Sequence, residues 1–217
     1  MTTIGIVMKK LRLAVVIAVT ICGFANRCTL GDSPDRPQID EELRCEILYR
    51  KDVDQQACLA VIRSGDFQTN PSVLQKIVDE IYLPNTDRMK QIVTRYGWPG
   101  KSLVGDDGAG AAWLIVQHSE DLSFMQQCLA LMEAAAAQGE VSRRDVALLT
   151  DRVRWRQGKP QLYGTQFTQS SAGGGFAPHP IEDESHVDER RKSVGLPSMA
   201  EQEKTLRATY GSKAISR

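Results

Sequence analysis

From Asp40 onward, apolar positions recur with the period of a helix. Leu43, Ile47, Cys58 and Val61 fall on one face of a segment that Asp40 can cap and Gly65 stops. Asn70-Pro71 opens a second helix to about Tyr82, ended by Pro84, and Thr86 or Asp87 opens a third, ended by Gly97. A glycine-rich loop leads into the short apolar segment Ala111 to His118. Asp121 then caps a helix with the stripe Leu122, Met125, Leu129 and Met132, and Gly139 lies beyond its end. Ser142 with Asp145 resembles a capping box and starts a helix to about Thr150. There the period changes. Val153 and Trp155 alternate with Arg152, Arg154 and Arg156, and Leu162, Tyr163, Thr165 and Phe167 follow the Gln157-Gly158 turn. The spacing predicts a β-hairpin over about residues 152–167, then a Ser/Gly-rich flexible loop at 168–179. Val187 to Val194 reads as a helical turn, and Ser198 with Glu201 boxes the start of a last helix ending at Gly211. The expected fold is mainly α, a compact multi-helix domain over residues 40–211 with one small β-hairpin.

What precedes Asp40 reads differently. Lys9, Lys10 and Arg12 come before an apolar run from Leu13 to Ile21, and Gly23-Phe24-Ala25 supplies small residues flanking a larger one. Residues 1–25 are expected to be a signal peptide cleaved after Ala25, with an uncleaved N-terminal anchor as the alternative. Residues 26–39 form a polar, proline-containing lead-in. The expected location is therefore periplasmic or extracellular, with the membrane met only through the leader if it is retained. The 217 residues carry 27 basic and 27 acidic side chains. Removing residues 1–25 takes away three basic residues and no acids, leaving 24 against 27, a formal charge of −3. A chain without a basic excess is not expected to bind nucleic acid.

Export would leave Cys28, Cys45, Cys58 and Cys128. Two disulfides with three possible connectivities are then open, although Cys45 and Cys58 on one helix lie about 20 Å apart and cannot pair. The alternative is that Cys58 and Cys128 are small core residues. No CxxC occurs, the cysteines stand apart from the histidines in sequence, and no two histidines have ligand spacing. Neither a metal nor a cofactor is expected.

Several polar residues stand out as chemistry. Gly100-Lys101-Ser102 superficially suggests a phosphate-binding loop, but the first glycine of that motif would fall at Arg95 and a helix precedes it. Asp54 lies within about 40° of the apolar stripe of its helix. A carboxylate there needs a cationic or hydrogen-bonding partner, and Arg152 and Arg190 are candidates. It is then either a structural ion pair or an acid or base on a cleft floor. His118 ends an apolar segment just before a new helix, where it can serve as acid, base or nucleophile, or simply bond a helix end. Gln161, Tyr163 and Gln166 bring amide and hydroxyl groups around Gly164 that suit a polar ligand or tie down a loop. Arg190-Arg191 suits a carboxylate or phosphate, or forms a solvated turn among acids.

In order along the chain these pieces are Asp54-Gln55, Gly97-Trp98-Pro99, Gln117-His118, Asp151-Arg152, Gln161-x-Tyr163-Gly164-Thr165-Gln166, Pro180-Ile181-Glu182-Asp183, Val187-Asp188, Arg190-Arg191 and Gly195-Leu196. The series resembles an uncharacterised bacterial domain-of-unknown-function family whose members often follow a signal peptide, and it spans roughly residues 43–197. One departure is Ala57 and Cys58, small residues where the pattern suggests a basic one. The resemblance supplies no reaction, but it implies that the polar pieces belong together. Three readings follow. The first is a metal-independent hydrolase or group-transfer enzyme with His118 as acid/base or nucleophile and Asp151 or Asp54 orienting it. In that reading Trp98, Gln117, Arg152, Gln161, Tyr163, Gln166, Arg190 and Arg191 contact a polar small molecule or peptide. The second is a non-catalytic envelope module binding such a ligand. The third is a structural or interaction domain whose polar signature is an internal hydrogen-bond network.

Overall fold

Asp40 caps as its position requires: its carboxylate accepts the Leu43 N–H at 2.9 Å and opens helix α1, Glu41–Ser64. The structure is a computed structural model describing residues 38–64, 70–169 and 176–210. The expected leader at 1–25, most of the lead-in, and Cys28 lie outside the described residues. Two compact units are distinguished, Asp35–Leu149 and the segment from Thr150 onward, with the boundary inside one helix. Each is described by itself.

In the first unit, α1 buries Leu43, Ile47, Asp54 and Val61, the face that the 3.6-residue period marks. Next, α2 (Pro71–Ile77), a π-helical turn (Val78–Tyr82) and α3 (Leu83–Tyr96) run on without a break. The expected stop at Pro84 does not occur. In the wide turn the Leu83 N–H bonds the Val78 carbonyl five residues back, and Pro84 then stands in the first turn of α3, where a missing N–H costs little. Helix α4 (Lys101–Gln117) corrects a second expectation, because the glycine-rich stretch is helical. Gly105 takes φ +73° and kinks the helix without ending it. At the kink Asp107 takes a two-pronged bond from Arg44 of α1, Nε to Oδ1 at 2.8 Å and Nη2 to Oδ2 at 2.6 Å. Helix α5 (Leu122–Ala137) opens on Asp121, which accepts the Phe124 N–H at 3.0 Å. Ile47, Met89, Val104, Ala112, Val116, Met125, Cys128 and Met132 are wholly or almost wholly buried and form the core. Each large apolar side chain so buried contributes about 1.5–3 kcal/mol.

Helix α6 (Arg143–Arg156) starts where Ser142 accepts the Asp145 N–H at 3.0 Å and continues past Thr150. Residues 152–156 are therefore helical, and the hairpin expected over 152–167 lies further on. It pairs β1 (Phe167–Gln169) with β2 (Phe176–Pro178), starting at the last residue of the expected hairpin and otherwise falling in the 168–179 stretch that the sequence reads as a flexible loop, of which residues 170–175 lie outside the described residues. Five residues of alternation are too few to separate period 2 from period 3.6. Here Arg152 and Val153 are buried while Arg154 and Arg156 are partly exposed, as one helical face requires. Beyond the hairpin come a 3₁₀ turn (Glu184–His186), α7 (Val187–Ser193) and α8 (Met199–Tyr210). Ser198 and Glu201 form the expected reciprocal box: the Ser198 N–H donates to Oε2 at 2.8 Å and the Glu201 N–H to Oγ at 3.3 Å.

Among the described residues, the second unit has few large apolar side chains inside, including Val153, Phe167, Val187 and Leu196, beside six buried polar ones. Gly164 sits in the loop that those polar groups organise, at φ +62°, and a Cβ there would fall 2.7 Å from Cδ1 of Ile181. Gly164→Ala is expected to lower stability by about 1–2 kcal/mol in urea denaturation, chiefly through the left-handed backbone, because the Ile181 terminus can move aside.

Candidate active site

Asp54 sits on the buried face of α1 with its side chain 1% exposed, so its charge must be met by neighbours. The partner is not the expected Arg152 or Arg190 but His118. Nδ1 of His118 lies 2.8 Å from Oδ1 and 2.9 Å from Oδ2. Gln55 adds an N–H bond to Oδ1 at 3.0 Å. His118 is the residue that ends α4, its N–H still bonded to Leu114 and Ile115, so the rigid helix fixes where the imidazole begins. The imidazole is 14% exposed, and among the described residues Nε2 has no hydrogen-bond partner. A histidine with one nitrogen tied to a buried carboxylate and the other left open is held in a single tautomer, Nδ1–H with the Nε2 lone pair available.

Cys58, one turn after Asp54, and Tyr82, from the π turn, complete the cluster. Sγ of Cys58 lies 3.7 Å from Oδ1 of Asp54 and 3.1 Å from the Tyr82 hydroxyl. The Tyr82 ring packs tilted against the imidazole with centroids 5.2 Å apart. Burial, reinforced by the Asp54 charge, pushes the Cys58 thiol up to about 12. Sγ is within donor reach of Oδ1 of Asp54, and burial with the nearby carboxylate keeps the thiol protonated. Cys58 is thereby unsuited to act as a histidine-activated nucleophile.

The remaining sequence-derived residues divide between the units. In the first, Gln117 is buried and its side-chain amide has no hydrogen-bond partner among the described residues. Trp98 lines a different cleft of about 440 Å³ with Tyr96, Leu131, Gln138 and Glu140, and neither Asp54 nor His118 borders it. In the second unit, Asp151 is fully buried and accepts the N–H groups of Leu162, Tyr163 and Thr165 at 2.7, 3.1 and 2.9 Å, plus the Thr165 hydroxyl at 3.0 Å. Burial raises its carboxyl above the ordinary range while those N–H bonds pull it back. Gln161 donates to the carbonyls of Gln166 and His179 at 3.0 and 2.8 Å and accepts the Gln166 N–H at 2.5 Å. The Gln166 side chain donates to Thr165 at 3.0 Å. Arg190 donates to the carbonyls of Leu162, Glu182 and Asp183 at 2.7, 2.6 and 2.8 Å. Arg191, 1% exposed, donates to those of Pro197 and Tyr163 at 2.5 and 2.6 Å. Arg152 is buried with its guanidinium 5.5 Å from the Trp155 ring.

The sequence reading missed Tyr82, and it took Cys58 for a core or disulfide residue. Cys45, Cys58 and Cys128 are free thiols. Cys58 was detectable four residues beyond Asp54 on the same face. Tyr82 carried no signal, because its direction depends on the π turn.

The model of a family of unknown function (DUF6624) matches residues 41–215. The chain belongs to this family. The match includes Asp54, Cys58, Tyr82 and His118 as well as the Asp151 network, so the buried dyad lies within the DUF6624 domain and not in an appended segment. No curated protein and no solved structure matches the chain. Among the described residues no helix is long and apolar enough to cross a membrane.

Proposed function

We propose that this DUF6624 protein is an enzyme, a hydrolase or group-transfer catalyst, in which His118 exchanges protons through Nε2 and Asp54 holds the ring. The observation that carries the reading is the pairing of a buried carboxylate with Nδ1 at 2.8 and 2.9 Å while Nε2 is left open. A purely structural histidine has both nitrogens engaged, whereas an acid–base histidine needs one tethered and one facing its substrate. In the forward step Nε2 takes a proton from an attacking water or hydroxyl, the imidazolium that forms is stabilised by Asp54, and the same proton passes to the leaving group. The substrate class is a polar small molecule or peptide, and the leader read at residues 1–25 puts the reaction outside the cytoplasm.

The reading is tested without knowing the substrate. Long-range ¹H–¹⁵N correlation spectra of the histidine rings are expected to show neutral His118 as the Nδ1–H tautomer, and Asp54→Asn is expected to mix the two tautomers. A neutral His118 carrying its proton on Nε2 in the unmodified protein defeats the proposal, because no base would then face the solvent.

A further inference from the structure

The cysteines and histidines stand apart in sequence, yet the fold brings one of each together. One ligand atom each from Asp54, Cys58 and His118 lies within 4.8 Å of the other two. We propose that these three side chains form a binding site for a soft divalent cation of the zinc type, and that its occupation switches off the acid–base dyad.

The donor set is one carboxylate oxygen, one thiol sulfur and one imidazole nitrogen. Calcium and magnesium prefer oxygen alone, whereas zinc takes this mixture in tetrahedral geometry. Zinc ligands sit at about 2.0–2.1 Å for nitrogen, 2.0–2.2 Å for oxygen and 2.3 Å for sulfur, so tetrahedral neighbours are about 3.3–3.6 Å apart. The observed Sγ to Oδ1 distance of 3.7 Å already fits, and the Nδ1 to Oδ1 distance of 2.8 Å must open by roughly half an ångström. Charge points the same way. A carboxylate and a thiolate neutralise a divalent ion, so the buried complex carries no net charge. Three protein ligands leave a fourth position for water, on a site whose imidazole is 14% exposed.

Binding has a definite proton balance. The Cys58 thiol loses its proton to solvent as the metal–sulfur bond forms. The proton on Nδ1 of His118 moves by way of solvent to Nε2, because the metal takes the Nδ1 lone pair. Nε2 then carries hydrogen and no longer accepts a proton. Metal and acid–base use of Nδ1 are therefore exclusive, and the inhibitory consequence rests on the acid–base reading while the binding itself does not.

The test titrates the reduced full chain with Co²⁺ alone. One equivalent is expected to give tetrahedral visible bands with a near-ultraviolet thiolate charge-transfer band, both displaced by Zn²⁺. Cys58→Ser removes the charge-transfer band, Cys45→Ser and Cys128→Ser keep it, and His118→Gln raises the Co²⁺ Kd by about 100-fold or more. Circular dichroism checks that each variant is folded. With Zn²⁺ bound, the His118 ring is expected to carry its proton on Nε2. No charge-transfer band in the unmodified protein overturns the proposal, as does a band that survives Cys58→Ser or a His118 that keeps Nδ1–H with metal bound. The metal-free tautomer reports on the dyad separately, so the two ideas fail on different measurements.

Discussion

Asp151→Ala is expected to lower stability by about 3–5 kcal/mol, the cost typical of removing one partner from a buried charged network. The carboxylate collects three backbone N–H groups and one hydroxyl, from Leu162, Tyr163 and Thr165, inside a unit that buries little apolar surface. Alanine leaves all four donors facing a void with no acceptor. Asp151→Asn also costs, because its amide hydrogens meet N–H groups head on. Since whole domains are stable by only about 5–15 kcal/mol, residues 150–210 are expected to melt before the first unit. Thermal unfolding followed with hydrogen exchange will show lost protection at Leu162 to Gln166 in the variant. Unchanged protection there would mean that Asp151 does not organise the loop.

His118→Gln is the second large effect, on activity and not on folding. Glutamine still offers an N–H toward Asp54, so the buried carboxylate keeps a donor and the melting temperature should shift little. It has no titrating nitrogen, and losing a general acid–base group lowers turnover by about 10²–10⁴-fold. Asp54→Asn is expected to fall in the same range, because the ring loses its fixed tautomer. Screening the unmodified protein against ester, amide, phosphoester and glycoside chromogens supplies the substrate for the comparison. A hydrolysed substrate whose turnover is the same in His118→Gln removes His118 from the mechanism.

Local signals carried far in this chain. Asp40, Asp121, Ser142 and the Ser198–Glu201 box act as caps because capping depends on residues three apart and on little else. The burial of Asp54 followed from a helical wheel, which needs only one helix. Where local signals competed, sequence reasoning misplaced elements. Pro84 reads as a stop unless a π turn precedes it. Gly105 reads as a loop unless the kink is pinned, as the Arg44–Asp107 pair does here. The Arg-Val-Arg-Trp-Arg run reads as a strand until Arg152 is found buried beside Trp155.

The sequence by itself determined that the protein is mainly helical, where most helices begin, and that a carboxylate would be buried at position 54. All of these follow from periodicity and capping within a turn or two. Only the tertiary structure decided which partner that carboxylate has. His118 is 64 residues from Asp54, and Tyr82 is 24 from the Cys58 thiol it meets, and no local rule reaches across such separations. The same folding gave Asp151, Arg190 and Arg191 backbone groups to bind. Their charge drew attention in the sequence, but a side chain's neighbours are set by packing of distant elements, and charge alone cannot say whether they will be a ligand or the chain's own carbonyl and N–H groups.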